Sequence, residues 1–185
     1  MEHIYKQPNF GEDWFTYPKL YSWFVQTIPN NSVIVEVGCW KGKSTAYLAV
    51  EVLNSNKNIK IHAVDTWEGS SNEEYHTNDE YVKNNILYNL FLNNIEPVKS
   101  VIIPFKMDSI AASKLHTDNT VDVVFIDANH AYEYVVKDIE AWLPKVKPGG
   151  ILAGHDYGWS GVNKAVHEKF GNNIALQEEC WIYKK

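Results

Sequence analysis

The sequence contains little cysteine and no long apolar run. Cys39 and Cys180 are the only cysteines among 185 residues, too few for the disulfide framework of a small secreted domain. No apolar stretch approaches the roughly 20 residues that cross a bilayer as a helix, and the N-terminal residues lack the apolar core of a signal peptide. We therefore expect a cytoplasmic protein with no membrane partner.

Positive charge is also scarce. Lys and Arg together number 17 against 23 Asp and Glu, which gives a formal net charge of -6 at pH 7. A protein that binds a phosphate backbone through broad electrostatics carries a basic surface. The charge balance argues against a nucleic-acid partner, and it favours a small-molecule partner.

Apolar and aromatic residues are plentiful by contrast. Hydrophobic residues make up 45% of the chain, enough for one substantial core, and we predict a single domain over residues 1–185. Aromatic side chains are dense in an N-terminal segment, residues 1–30. A helix is predicted there over residues 16–28, with Thr16 as a candidate N-cap and Pro18 in the first turn. Composition leaves open whether the chain forms a homo-oligomer.

The most informative segment is residues 33–45, where an apolar strand pattern ends in a glycine turn and passes into a helical pattern. Glycines at positions 38 and 42 let the backbone bend sharply and approach a ligand. The first turn of the following helix offers free N–H groups and the positive end of the helix dipole. A nucleotide-like ligand is therefore predicted, with these residues as candidate contacts: Glu36, Gly38, Cys39, Gly42 and Ser44.

Four interpretations of this turn compete. A P-loop has the pattern Gly-x-x-x-x-Gly-Lys-[Ser/Thr], and the interval from Gly38 to Gly42 is one residue too short for it. A dinucleotide fingerprint, Gly-x-Gly-x-x-Gly, is not matched because Trp40 stands at its second glycine. The turn resembles that of class I S-adenosylmethionine-dependent methyltransferases, which open with an acidic residue two places before the first glycine, as Glu36 does. An ordinary βα turn is the fourth interpretation.

Strand and helix patterns alternate along the rest of the chain, and such alternation indicates a parallel sheet with helices on both faces. The predicted strands and helices that follow the N-terminal helix are, in order, 33–37, 44–53, 59–64, 79–92, 100–106, 109–115, 121–126, 132–143, 150–154, 162–170, 174–177 and 180–183. The last two strands are joined too closely for a crossover and must form an antiparallel hairpin. Pro104 places the third strand at a sheet edge.

We therefore predict an α/β fold with a doubly wound, mostly parallel seven-stranded sheet that closes with a C-terminal antiparallel hairpin. This is the arrangement of the class I methyltransferase fold, whose strand order is 3-2-1-4-5-7-6.

Three residues near the ends of the second and third strands are further candidates for cofactor binding, because ligands of open α/β sheets bind at the carboxyl ends of the strands. Asp65 lies about 20 residues beyond the glycine turn, where a carboxylate accepts hydrogen bonds from ribose hydroxyls. Asp108 is placed to reach an adenine amino group, or to cap the next helix. Trp67 is a candidate for stacking on adenine, or a buried loop aromatic.

A second cluster of polar residues follows the fourth and fifth strands. If these strands are neighbours, Asp127 and Asp156 end roughly 5 Å apart and could share a divalent cation, with Mg²⁺ favoured by carboxylate ligands. His155 would be a better ligand for a softer ion. His130 faces the same crevice and suits a general base. The structural alternatives are that both aspartates cap local turns and that His130 is structural.

The motifs together resemble one methyltransferase group in particular. They are Glu36-x-Gly38-x-x-x-Gly42-x-Ser44, Asp65-Thr-Trp-Glu-Gly69, Ile126-Asp127-x-x-His130-x-Tyr132, Pro148-Gly-Gly150 and His155-Asp156-Tyr157. The group includes the macrocin and mycinamicin sugar O-methyltransferases. The resemblance implies that Asp127 and Asp156 hold Mg²⁺ and that His130 acts as base. This chain departs from the pattern by having His155 where the group has the first of two acidic residues.

These features predict a methyltransferase that uses S-adenosylmethionine and methylates an oxygen of a small, sugar-containing acceptor. His130 and Asp127 would serve catalysis, and Asp127 would also border the cofactor. A polar segment within residues 66–80 is long enough to act as a lid, and Thr77 and Glu80 suggest a capping box for the next helix. A P-loop-like kinase or NTPase and a non-catalytic cofactor-binding subunit are the alternatives.

Overall fold

The computed structural model describes residues 1–185, which form one sheet and eight α-helices. The strands are β1 Val33–Val37, β2 Lys60–Asp65, β3 Ile102–Lys106, β4 Val121–Ile126, β5 Val146–Gly154, β6 Ala175–Gln177 and β7 Cys180–Lys184. The helices are α1 Pro18–Thr27, α2 Lys43–Asn54, α3 Glu74–Asn78, α4 Glu80–Lys83, α5 Leu87–Ile95, α6 Ser109–Ser113, α7 Tyr132–Trp142 and α8 Ser160–Phe170. Two 3-10 segments, Pro8–Phe10 and Glu96–Val101, complete the regular structure.

The sheet has the strand order β3-β2-β1-β4-β5-β7-β6. Strands β1 to β5 pair in parallel, and β7 pairs antiparallel with both β5 and β6. The predicted fold class, strand order and C-terminal hairpin are therefore confirmed. Because β1 and β4 are neighbours at the point where the strand order reverses, a crevice opens at their carboxyl ends.

Both faces of the sheet carry a hydrophobic core. Side chains of β1 alternate between the two cores, since Ile34 packs with α1, α2 and α5 whereas Val35 and Val37 pack with α6, α7 and α8. This alternation is the period of two that a pleated strand imposes. A parallel sheet buried on both faces explains why the central strands have almost continuous apolar sequences.

Pro104 lies opposite Ala63 in the pairing of β3 with β2, and β3 has no neighbour on its other side. The predicted edge position is confirmed. Proline is tolerated there because an edge strand does not need to donate a second row of hydrogen bonds.

The segment after β2 differs from the prediction of one helix over residues 79–92. Two short helices, α3 and α4, precede α5, and Asn85 with φ 55° ends α4 in the left-handed region. Asp79, not Thr77, caps α4, because its side chain accepts hydrogen bonds from the backbone N–H groups of Tyr81 and Val82. The predicted capping box is wrong, since an aspartate one residue before the helix satisfies the same free N–H groups.

The N-terminal segment lies over the carboxyl edge of the sheet before α1 begins at Pro18. Tyr17 occupies the N-cap position without a side-chain cap bond, and the Thr16 hydroxyl contacts His155 instead. The prediction of Thr16 as N-cap is wrong. None of the eight helices has both the length and the apolar character that crossing a membrane demands.

Candidate active site

A cavity of about 1130 Å³ opens at the carboxyl ends of β1, β2, β4 and β5. Its floor includes Gly38, Asp65, Asp127 and Asp156, and its roof comes from the N-terminal segment and from residues 68–77. The volume exceeds the roughly 300–1,000 Å³ typical of a pocket for one small ligand. The cavity therefore has room for a nucleotide-sized cofactor and a second molecule.

The glycine turn forms one end of this cavity. Gly38 has φ 90°, and a Cβ atom at this position would lie 1.9 Å from the carbonyl oxygen of Asp127. Gly42 has φ 87° at the N-cap of α2, and its Cβ would meet Phe91 at 2.9 Å. Gly38 borders the cavity but Gly42 does not. This glycine serves the packing of α2 against α5, and a contact from Gly42 to the cofactor stays a prediction.

Glu36 lies beneath the turn and is fully buried, away from the cavity. Its carboxylate accepts hydrogen bonds from the hydroxyls of Tyr21 and Thr45. Burial raises the pKa of Glu36, although these hydroxyls and that of Ser44 oppose the shift. The Glu36 side chain thus joins α1 and α2 from below, and a direct contact from it to the cofactor stays a prediction.

Asp65 borders the cavity and also holds the turn in place. Its Oδ2 atom accepts hydrogen bonds from the backbone N–H groups of Cys39 at 2.8 Å and Trp40 at 2.9 Å, and its Oδ1 accepts from Trp67 at 2.7 Å. Sequence reasoning missed this supporting role. A bond from Asp65 to a ribose stays a prediction, and it would use lone pairs that the three backbone bonds leave free.

Trp67 is buried and does not border the cavity. Its ring packs against Tyr88 and Phe91, and its indole N–H donates to the carbonyl of Trp40. This position matches the alternative of a buried loop aromatic, and stacking of Trp67 on adenine stays an untested prediction. The apolar surface beneath the turn holds the indole, and the Trp40 carbonyl satisfies its only polar atom.

The remaining cofactor candidates border the cavity in different ways. Asp108 caps α6, since its Oδ1 accepts from the N–H groups of Ile110 and Ala111. Cys39 has a buried thiol whose pKa burial raises well above its usual range, so its backbone N–H is its polar contribution to the turn. Ser44 lies in the first turn of α2 at the cavity wall. Direct contacts from these residues to a cofactor stay predictions.

Asp127, His130, His155 and Asp156 meet at the other end of the cavity. Their convergence follows from the pairing of β4 with β5, in which Ile126 lies opposite Gly154. His130 Nε2 is 2.8 Å from Asp156 Oδ2 and 3.9 Å from Asp127 Oδ1. His155 Nδ1 is 3.3 Å from Asp156 Oδ2 and 3.6 Å from Asp127 Oδ1. All four residues that the sequence selected at these strand ends thus lie together.

Three further residues bind the outer sides of this cluster. Glu73 Oε1 accepts a hydrogen bond from His130 Nδ1 at 2.9 Å. Tyr17 donates its hydroxyl to Asp127 Oδ2 at 2.7 Å, and the Thr16 hydroxyl is 3.0 Å from His155 Nε2. Sequence reasoning missed all three. The sequence indicated only that Glu73 lies in the predicted lid and that Tyr17 and Thr16 lie in the aromatic N-terminal segment.

Charge in the cluster is balanced by the imidazoles. Burial opposes ionisation of Asp127, but the neighbouring imidazoles of His130 and His155 and a hydrogen bond from Tyr17 outweigh it and hold the pKa of this carboxyl well below its usual range. Burial would lower the pKa of His130, yet the carboxylates around its ring raise it to about 11. Burial would likewise lower the pKa of His155, but the carboxylates of Asp127 and Asp156 raise it to about 10. Both imidazoles are therefore protonated near neutral pH when no cation is bound.

One contact in the cluster is short but poorly aligned. His130 Nε2 is buried and makes no hydrogen bond of acceptable geometry, although Asp156 Oδ2 is only 2.8 Å away. Asp127, His130 and Asp156 each offer a ligand atom within 4.8 Å of the others. A buried nitrogen without an aligned partner, next to two carboxylates, fits a site for a divalent cation.

The chain matches the family model described as a methyltransferase domain over residues 35–157. Since this match covers more than half of its length, the chain belongs to that family. The sheet order and the family together confirm the predicted methyltransferase domain of the class I, S-adenosylmethionine-dependent type. The P-loop interpretation of the glycine turn is wrong.

Two curated relatives are uncharacterized proteins. One, from Sinorhizobium fredii, is 26% identical over 153 residues, which cover 81% of this chain and 16% of that protein. The other, from Acanthamoeba polyphaga mimivirus, is 28% identical over 125 residues, which cover 66% of this chain and 50% of that protein. The chain therefore spans at most half the length of these relatives.

Solved structures with the same fold include several methyltransferases. The O-methyltransferase NovP superposes with a TM-score of 0.63 at 15% identity, covering 92% of this chain and 79% of NovP. CalS11, a TDP-rhamnose 3′-O-methyltransferase, superposes with a TM-score of 0.59 at 16% identity, covering 90% of this chain and 76% of CalS11. The Streptococcus mutans protein SMU.1697c, solved in complex with S-adenosylhomocysteine, superposes with a TM-score of 0.60 at 12% identity, covering 92% of this chain and 97% of that protein. These similarities establish the fold.

Proposed function

We propose that this chain transfers the methyl group of S-adenosylmethionine to a hydroxyl oxygen of a small, sugar-containing acceptor. The observation that carries the proposal is the position of the Asp127, His130 and Asp156 side chains in the same cavity as the glycine turn. A methyl donor held at the turn would therefore have ionisable groups nearby to receive the acceptor's proton. NovP and CalS11 are O-methyltransferases with this fold, and CalS11 acts on a TDP-sugar.

The cofactor would lie between the turn and the end of β3. Gly38 lets the backbone pass close to the end of β4, and Asp65 fixes the N–H groups of Cys39 and Trp40. Asp108 borders the far side. The sulfonium already makes the methyl group electrophilic, so the protein needs chiefly to align the acceptor oxygen with it and to remove the proton.

His130 is proposed as the base that takes this proton. Glu73 accepts a hydrogen bond from Nδ1 of His130. The other ring nitrogen, Nε2, therefore faces the carboxylates in the cavity. An imidazole can accept a proton only when that nitrogen is neutral. Because the carboxylates raise the pKa of His130 to about 11, the proposal requires additional positive charge beside them during turnover.

A divalent cation fits that requirement. Asp127, Asp156 and His155 would hold it, with Tyr17 and Thr16 orienting two of these ligands. When bound, such an ion lowers the pKa of an acceptor hydroxyl. His130 would lie beside it, oriented by Glu73.

Exposed aromatic side chains at the mouth of the cavity suit a sugar acceptor. Trp14 is 44% exposed and Trp159 is 54% exposed, and both border the cavity. Trp159 also packs against the His130 ring, with ring centroids 4.7 Å apart. An aromatic face binds the apolar face of a pyranose by contact, while its edge stays in water.

The cytoplasmic location and a homo-oligomeric state stay predictions.

The lid role of residues 66–80 is part of the proposal. His76 stacks on Trp40 with ring centroids 4.3 Å apart, and Asp79 forms an ion pair with the buried Lys41 at 2.8 Å. Glu73 reaches the catalytic cluster from the same segment. The segment would exclude water from the reacting atoms when closed and open to admit the acceptor.

The decisive experiment measures cofactor binding and turnover separately. Calorimetry should give micromolar binding of S-adenosylhomocysteine and little binding of ATP, the range expected for a preformed cofactor pocket. Methyl-labelled S-adenosylmethionine should then label members of a panel of nucleotide sugars and simple glycosides. Binding without labelling of any hydroxyl compound would favour a non-catalytic cofactor-binding subunit. Labelling of nitrogen acceptors alone would refute O-methylation.

A further inference from the structure

Two imidazole nitrogens face the same pair of carboxylates, which is unusual for a centre meant to hold Mg²⁺. His155 Nδ1 lies at nearly the same distance from both carboxylates, 3.3 Å from Asp156 Oδ2 and 3.6 Å from Asp127 Oδ1. His130 Nε2 lies to one side, close to Asp156 and 3.9 Å from Asp127. Both imidazole nitrogens lie near the two carboxylates, and the more even distances of His155 Nδ1 make it the better placed third ligand.

The spacing of these donor atoms suits a single ion. Ligands at about 2.0–2.2 Å from a metal ion lie roughly 3.0–3.5 Å apart when they are adjacent in its coordination shell. The two distances from His155 Nδ1 to the carboxylate oxygens are close to this range. Modest movement of the side chains on binding would bring all three atoms to coordination distance.

The outer atoms of the ligands are already held. The Thr16 hydroxyl lies 3.0 Å from His155 Nε2, and Tyr17 donates to Asp127 Oδ2 at 2.7 Å. These two bonds leave His155 Nδ1 and Asp127 Oδ1 directed at the centre. A metal-binding histidine almost always has its other ring nitrogen bonded in this way, and the bond fixes its orientation and tautomer.

The chemistry of the donors selects the ion. Mg²⁺ prefers oxygen ligands and retains several waters. Imidazole nitrogen suits the first-row transition metals, whose affinities for such sites rise from Mn²⁺ towards Cu²⁺. We propose that Asp127, Asp156 and the Nδ1 atom of His155 form a site that binds first-row divalent transition ions in preference to Mg²⁺. This proposal rests on the proposed function, which it deepens by naming the class of ion.

The test compares Co²⁺ with Mg²⁺ on the whole chain at pH 7.5, where an ion that binds His155 must displace its proton, so that binding releases protons. Calorimetry measures Co²⁺ binding, and the visible absorption of bound Co²⁺ reports its ligands. We expect Co²⁺ to bind at least about ten times more tightly than Mg²⁺, in the order that nitrogen ligands impose. Equal or tighter Mg²⁺ binding, or no Co²⁺ binding, would overturn the proposal.

Two variants identify the ligand. His155→Asp should reduce the preference for Co²⁺ over Mg²⁺ about ten-fold or more, because it replaces nitrogen with oxygen. Thr16→Val keeps the shape of the side chain but removes the hydroxyl, and it should weaken Co²⁺ binding by about ten-fold, the effect typical of lost outer-shell bonds. His167→Gln, on the exposed side of α8, is the control and should bind Co²⁺ as the wild type does.

Thermal unfolding of each variant separates loss of the site from loss of the fold. If folded His155→Asp and folded Thr16→Val both retain the wild-type preference and affinity, His155 is not a ligand and the proposal fails. Calorimetry with S-adenosylhomocysteine and the labelling assay on the same samples keep the two proposals apart. Cofactor binding and methyl transfer without Co²⁺ binding would refute only the metal proposal, whereas Co²⁺ binding supports it even if no hydroxyl compound is methylated.

Discussion

Glu73 Oε1 accepts a hydrogen bond from His130 Nδ1 at 2.9 Å, although Glu73 belongs to the segment over the cavity and His130 to the loop after β4. The other carboxylate oxygen of Glu73 lies 3.3 Å from Nδ1 of His76. One carboxylate thus links the covering segment to the imidazole proposed as base. Closure of the segment, as proposed above, would therefore also orient that imidazole.

Replacing Glu73 should impair turnover more than cofactor binding. We expect Glu73→Ala to lower kcat by about ten-fold or more, because a general base contributes roughly 10²–10⁴-fold and loses part of that when its ring is no longer oriented. Steady-state kinetics and calorimetry with S-adenosylhomocysteine measure the two effects. Glu74→Ala, at the exposed neighbouring position, is the control. Equal activity of the two variants would show that Glu73 does not position His130.

His130 itself should be essential for rapid methyl transfer. His130→Ala should lower kcat by roughly 10²–10⁴-fold, the range for loss of a general base. Its residual activity should rise with pH, since hydroxide can remove the acceptor proton in place of the imidazole. The affinity for S-adenosylhomocysteine should change little because the glycine turn is intact. A loss of kcat smaller than about five-fold would exclude His130 as the base.

Asp65 should matter for both stability and cofactor affinity. Asp65→Asn retains the size of the side chain but weakens three backbone hydrogen bonds, and bonds to a charged group contribute about 1.5–3 kcal/mol each. We expect the free energy of unfolding to fall by about 2 kcal/mol or more and cofactor binding to weaken. Asp108→Asn is the comparison for stability and should unfold as the wild type does, because asparagine caps a helix about as well as aspartate. Urea unfolding and calorimetry provide the measurements. Unchanged values for Asp65→Asn would contradict the role of this carboxylate in the turn.

The strand order was predicted from the resemblance to the class I methyltransferase fold. Because that order makes β4 and β5 neighbours, it also predicted the meeting of Asp127 with Asp156 at their carboxyl ends. Side-chain direction was harder to predict. Ile34 and Glu36 lie on the same face of β1, and this period of two could have placed Glu36 in the core beside α1. No such period applies to Trp67 or Glu73, whose positions depend on the irregular segment after β2.

Long-range partners were the least predictable part of the site. Tyr17 contacts Asp127 across 110 residues, and Thr16 contacts His155 across 139. Both contacts arise because the N-terminal segment crosses the carboxyl edge of the sheet. Neither local propensity nor hydrophobic periodicity carries information about such a path, since no regular element contains it.

Asp138 should give the protein a stability that falls as pH rises through the mildly acidic range. Burial raises the pKa of Asp138 in α7 from an ordinary 3.8 to about 6, although a hydrogen bond with Ser109 opposes the shift. Between these pH values the folded state binds a proton that the unfolded state has released, so the free energy of unfolding decreases as pH increases. The contribution is complete below about pH 4 and lost above about pH 6, with a size on the order of 3 kcal/mol. Asp138→Asn mimics the protonated acid and should remove this part of the pH dependence, which makes the variant the more stable protein at pH 7. Urea unfolding at intervals from pH 4 to pH 7 measures the free energy of unfolding of the wild type and of Asp138→Asn. Glu140→Gln, on the exposed side of the same helix, is the control. Parallel pH profiles for the wild type and Asp138→Asn would mean that Asp138 ionises normally in the folded protein.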